Sequence, residues 1–127
     1  MTHFTHTTPT ARKAHRCMMC WRLIEPGETY RRGAGMDGAT AWTWIECAHC
    51  AEFVRVAYRR YGDAGYDETL LIDFQPDNMA EARVRAQHRR KWRRLDGSLY
   101  PVPAVTITED MYGFRHPTAI APGGEAR

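Results

Sequence analysis

The sequence predicts a small α+β domain, on three observations. All four cysteines lie in two C-x-x-C pairs, Cys17-Met18-Met19-Cys20 and Cys47-Ala48-His49-Cys50. Short β-prone runs and a glycine-rich stretch separate the pairs. Two segments with helical apolar spacing follow, one opening at the second pair and one near Asn78. At 127 residues and 43% hydrophobic composition, the chain makes one domain whose modest core gains from a staple.

Four thiolates at this spacing suit one tetrahedral zinc ion, because paired cysteines two residues apart can aim both sulfurs at one metal. A closed set of four leaves no position for a reacting water, so the expected site is structural. Two alternatives compete. Disulfides need an oxidising compartment, yet residues 1–16 are Thr-rich and lack the apolar run of a secretory signal, which points to the cytoplasm. A redox dithiol would sit in a βαβ pattern, which neither pair has. His15 or His49 could replace a cysteine, but a histidine beside a zinc pair more often serves as a bystander or supports a ligand.

Taken in order, residues 1–11 read as a disordered leader. Arg12, Lys13, His15 and Arg16 form a basic approach to the first pair. Trp21 is placed to cover one side of the metal site. Glu25-Pro26-Gly27-Glu28 carries the signature of a type II turn. Thr29–Arg32 and Trp42–Ile45 read as paired strands, joined by a loop over Gly33–Gly38. That loop spells G-x-G-x-x-G, but no helix opens at its glycines, so the dinucleotide fingerprint is rejected. A helix is expected from about Cys47 to Tyr61, with Cys50, Phe53, Val54, Ala57, Tyr58 and Tyr61 on one face and Gly62 as its stop. Residues 62–69 read as a loop, and Leu70-Leu71-Ile72 with Phe74 as a buried strand or extended segment.

Asn78 and Glu81 have capping-box spacing and open a second helix, expected to run to about Leu95. Ala80, Val84, His88, Trp92 and Leu95 share its apolar face, with Trp92 as core anchor. Arg83, Arg85, Arg89, Arg90, Lys91, Arg93 and Arg94 crowd the remainder, with no acid between residues 83 and 94. Three readings stay open for this face: a solvated surface, a nucleic-acid surface, or a dock for an acidic protein surface. Val105–Thr108 reads as an edge strand, Met111, Tyr112 and Phe114 as core cover, and the tail from His116 as disordered.

Knuckle, hairpin, then helix carrying the second pair resembles a treble-clef zinc finger. Cys17-x-x-Cys20, Ile24, Gly27-Glu28, Tyr30, Trp44 and Cys47-x-x-Cys50 also resemble small zinc proteins of actinobacteria and their phages. The resemblance covers residues 12–61. It implies zinc held by Cys17, Cys20, Cys47 and Cys50, and it implies no activity. The domain plan is a leader over 1–11, a zinc module over 12–62, a basic extension over 63–115 and a tail over 116–127.

Enzyme classes built on related modules fail on their chemistry. An HNH-type nuclease needs a histidine base, an orienting polar residue and a metal-binding histidine together, whereas the first helix offers only His49. A deaminase needs an H-x-E element, which is absent. The expectation is a non-catalytic zinc protein that binds nucleic acid in the bacterial or phage-infected host cytoplasm. The seven basic residues of the second helix, with Arg31 and Arg32, would contact phosphate. The alternative is a protein-interaction adaptor, such as a phage product acting on a host factor, using Trp42, Trp44 and Tyr30. No stretch is long and apolar enough to span a membrane.

Overall fold

The computed structural model describes residues 2–62 and 69–124. Strands β1 (Thr2–Thr7), β4 (Tyr30–Asp37) and β5 (Thr40–Cys47) form an antiparallel sheet in the order β1-β4-β5. Two-residue strands β2 (His15–Arg16) and β3 (Leu23–Ile24) pair across the first cysteine turn. Helices α1 (Ala48–Tyr61) and α2 (Met79–Arg89) follow, then a hairpin of β6 (Ala104–Glu109) and β7 (Arg115–Ala121). This is a mixed α+β domain. Its core gathers Phe53, Val56 and Ala57 of α1, Leu70, Leu71 and Phe74, Val84 of α2, Trp92 and Ile120 of β7.

The leader is corrected from disordered to strand β1, paired residue for residue with β4 from Thr2↔Asp37 to Thr7↔Arg32. Its threonines are β-branched and suit an edge strand, a signal outweighed in the sequence by their polarity. The glycine-rich loop is also corrected. Gly33 and Gly35 lie within β4, and only Gly38-Ala39 turn the hairpin, with Gly38 at φ +64° as a two-residue turn requires. The Glu25–Glu28 turn forms as expected, with Gly27 at φ +96° and a Glu28 N–H to Glu25 carbonyl bond of 3.1 Å.

Helix α1 begins and ends where the spacing placed it. Cys47 is its N-cap, and Gly62 stops it at φ +69°. Cys50, Phe53, Val54 and Ala57 are buried, but Tyr58 and Tyr61 are exposed. Ala51 and Val56 are buried as well, because α1 packs on β7 and β6 in addition to the strands before it. The expected 62–69 loop lies largely outside the described residues. Leu70–Phe74 is neither strand nor extended. It turns tightly, with bonds from Asp73 N–H to the Thr69 carbonyl and from Phe74 N–H to the Leu71 carbonyl, so that Leu70, Leu71 and Phe74 point inward and Ile72 outward.

The tail is corrected too. Arg115–Ala121 pairs with β6, and Ile120 is fully buried. Pro117 is accommodated beside a bulge at Thr106/Ile107, where the ladder tolerates a residue without an N–H. Met111, Tyr112 and Phe114 sit at the exposed tip of this hairpin and cover no core.

One ion pair joins three elements. Arg60 of α1 grips Glu81 of α2 through both guanidinium nitrogens, at 3.0 and 2.9 Å, and donates to the Thr118 carbonyl of β7. Asn78 Oδ1 caps α2 by accepting from Glu81 N–H, while Glu81 reaches back to Asp77 N–H rather than to that of Asn78. Hydrogen bonds from Arg60 hold the Glu81 carboxyl below its usual pKa against the opposing effect of burial. A lowered folded-state pKa gives stability that is present above the unfolded value of about 4.5 and lost as pH falls through the folded value. Arg60→Ala is expected to cost about 3 kcal/mol in urea denaturation, because Glu81 remains buried without its partner. Glu81→Gln should remove the share of acid-induced destabilisation that this carboxylate causes below about pH 4.5.

Candidate metal centre and basic surface

The first cysteine turn is built by short-range bonds. Trp21 N–H reaches the Cys17 carbonyl at 2.9 Å, and Cys17 N–H reaches the Arg22 carbonyl at 3.0 Å. Met18 N–H to the Ile45 carbonyl, at 2.8 Å, lays this turn against the end of β5. The second pair follows at once, with Cys47 closing β5 and Cys50 in the first turn of α1. The chain thus brings all four predicted ligands, Cys17, Cys20, Cys47 and Cys50, to one point. Their sulfurs lie within 4.8 Å of one another, all are buried, and none is in a disulfide.

The donor set fits a tetrahedral metal. Metal–sulfur bonds of about 2.3 Å place sulfurs about 3.8 Å apart, and Cys20 and Cys47 Sγ stand at 4.0 Å. A disulfide would need about 2.05 Å. Backbone N–H groups of Met19 and Cys47 donate to Cys17 Sγ, and that of Cys50 donates to Cys47 Sγ, at 3.3–3.4 Å. Bonds from the other three cysteines push the Cys17 thiol down, whereas burial pushes Cys47 and Cys50 up. Burial thus disfavours charge on Cys47 and Cys50, and holding four thiolates here would take a cation at their centre.

Two residues missed in the sequence complete the site. Arg22 is almost fully buried, forks onto Glu28 at 2.8 and 3.1 Å and donates toward His49 Nδ1 at 3.4 Å. Burial opposes its charge, but Glu28 and the nearby Cys47 and Cys20 sulfurs outweigh that and hold its pKa above the usual value. A buried arginine near Cys47 and Cys20 would offset part of the negative charge of their thiolates. Its signal was a lone cation within the apolar Trp21–Ile24 run, six residues before the turn glutamate. The second is the Trp92 indole, whose N–H donates to Cys50 Sγ at 3.2 Å. Trp21 does not cover the metal site, being 54% exposed at φ +65°.

Neither histidine belongs to the four-sulfur cluster, although His49 lies beside Cys47 and interacts with its sulfur. His49 Nε2 lies 2.6 Å from the Tyr100 carbonyl and so carries the proton, while Nδ1 accepts from Arg22. His15 meets the Tyr30 hydroxyl at 3.4 Å and stacks on its ring, and Tyr30 is buried.

The basic segment differs from expectation. Helix α2 stops at Arg89 because Lys91 and Trp92 adopt left-handed φ values of +56° and +63°. Each costs about 1–2 kcal/mol. Full burial of Trp92, worth roughly 4–6 kcal/mol from its area, exceeds that and turns the indole back toward Cys50. Leu95, expected on the apolar face, is 94% exposed. Arg93 donates to the Gly97 carbonyl and Arg94 to that of Leu99, with Arg94 also lying over the Tyr100 ring, so both brace the 93–99 turn. Arg83 and Arg89 of α2 and Arg90 and Lys91 just past its end are exposed, and Arg85 is half-buried at the edge of the buried Val84–His88 face. Arg31 turns toward buried Glu46 and His6, while Arg32 is exposed on the opposite face of β4.

No family model, curated protein or solved structure matches this chain. Among the described residues, no helix is long and apolar enough to cross a membrane.

Proposed function

We propose that the chain is a zinc-stabilised, non-catalytic nucleic-acid-binding protein of the treble-clef type, akin to small zinc proteins of actinobacteria and their phages and working in a reducing cytoplasm. The observation that carries the reading is the cationic end of α2, where Arg83 and Arg89 on the helix and Arg90 and Lys91 just past its end are exposed, with half-buried Arg85 beside them and no acidic residue among them. Guanidinium groups bind phosphate oxygens in a planar fork, and a cluster on one helix face is the electrostatic footprint of such binding. The metal centre supports that surface. Trp92 bonds to Cys50 Sγ, and His88 lies 3.3 Å from the Met19 carbonyl, so the end of α2 is seated on the cysteine site.

The test is binding of the zinc-loaded protein to duplex DNA across a salt series. Five phosphate contacts give a log–log slope of about −4.5, and Arg85→Ala/Arg89→Ala is expected to flatten it by about 2. Absence of binding at low salt to any DNA or RNA form overturns the reading. The adaptor reading draws on a different observation, the exposed Met111, Tyr112 and Phe114 at the β6–β7 tip. It would take over if the protein bound an acidic or apolar protein surface and no nucleic acid.

A further inference from the structure

A second surface lies away from α2. Trp42 and Trp44 are two apart on β5 and so share one face of the sheet. Their cross-strand partners on β4 are Gly35 and Gly33, which contribute no side chain opposite the indoles. This gives the two glycines a role that the rejected dinucleotide fingerprint did not. One flank of α1 forms the facing wall of an open cavity of about 930 Å³, contributing Tyr58, Arg55 and Arg59, with Arg31 from β4 beside them. No carboxylate of the described residues lines it. Arg31 is matched by Glu46 at 3.8 Å. Arg55 pairs with Glu52 at 2.9 Å, but that pair is exposed and of the kind worth under about 1 kcal/mol, so a phosphate can compete for the guanidinium.

We propose that this cleft binds unpaired nucleotides of a single-stranded nucleic acid, with bases stacking on Trp42 and Trp44 and phosphates meeting Arg55 and Arg59. The inference rests on the nucleic-acid reading and adds to it the state of the strand. Flat aromatic surfaces interleaved with cations are how proteins hold single strands without reading sequence. Duplex bases are already stacked and cannot reach such a cleft. An acidic peptide would satisfy the arginines but has no flat partner for two indoles, and the volume lies in the range of small-ligand cavities.

The experiment measures anisotropy of labelled oligo(dT) and of a duplex of the same length, using the zinc-loaded wild type and three variants. Trp42→Leu is expected to weaken oligo(dT) binding about tenfold while leaving duplex binding unchanged, and Trp42→Phe to restore most of the loss. Arg59→Ala, an exposed change that leaves folding intact, should weaken oligo(dT) several-fold, and oligo(dT) should quench wild-type tryptophan fluorescence. If Trp42→Leu and Arg59→Ala bind oligo(dT) like the wild type while Arg85→Ala/Arg89→Ala loses it, the cleft inference falls and the reading of α2 stands. If a polyglutamate peptide binds in a Trp42-dependent way and oligo(dT) does not, the cleft serves a protein and the inference is overturned. If no oligonucleotide binds, both readings fail.

Discussion

Cys17→Ser and Cys50→Ser are each expected to abolish stoichiometric zinc and most of the helical circular dichroism signal. This is the largest effect expected of any single change. Zinc at four thiolates contributes an apparent 10–16 kcal/mol to small domains, as much as the whole stability of a protein this size, roughly 5–15 kcal/mol. The four sulfurs also seat the rest of the molecule. Cys17 Sγ accepts from the N–H of Cys47, and Cys50 Sγ accepts from Trp92. Serine cannot supply the thiolate, and its loss leaves three buried sulfurs and Arg22 facing one another around an incomplete shell. Metal content by inductively coupled plasma spectrometry and ellipticity at 222 nm are the measurements. Full zinc and full helicity in both variants would remove the structural-zinc reading. A chelator added to the wild type should reproduce the variants' loss.

Trp92→Ala is expected to destabilise the domain by about 3–5 kcal/mol, the usual cost of truncating a buried aromatic. The indole has no solvent exposure and meets Phe53 at 6.1 Å, His88 at 5.7 Å and His49 at 5.4 Å between ring centroids. Trp92→Phe separates packing from ligand support. It keeps most of the aromatic area and removes only the N–H to Cys50 Sγ, so zinc affinity should fall 10–100-fold and the stability of the zinc-loaded protein by the equivalent of about 1.4–2.8 kcal/mol, less than for Trp92→Ala. Zinc competition with a chromogenic chelator reads the second quantity. Equal affinity in wild type and Trp92→Phe would mean that the indole only fills space.

The metal centre was legible because its chemistry is local: two C-x-x-C pairs fix their own turns, and their distance apart leaves few other uses for four thiols. Helix α1 and the Glu25–Glu28 turn were legible for the same reason, through capping, apolar spacing and a Pro-Gly pair. The failures come from contacts between distant residues. Polar Thr2–Thr7 becomes a strand only because β4 offers an edge, and Arg115–Ala121 only because β6 lies beside it and Ile120 fills a core position. The second helix was read about six residues too long because a helical wheel cannot show that Trp92 gains more from the Cys50 site than from continuing the helix. Arg22 escaped notice because a surface cation and a buried one look alike until Glu28 and His49 are seen around it.

In polymer terms the four-sulfur junction is a cross-link. Cys20 and Cys47 are 27 positions apart in sequence, and joining them closes a ring that contains the Glu25–Glu28 turn and the whole β4–β5 hairpin. Closing a loop of that length costs a free chain about 3 kcal/mol in lost conformations. An ion captured early by the thiolates would remove that loss from the later steps, so the hairpin would zip inside a ring already shut and refolding would quicken with metal concentration.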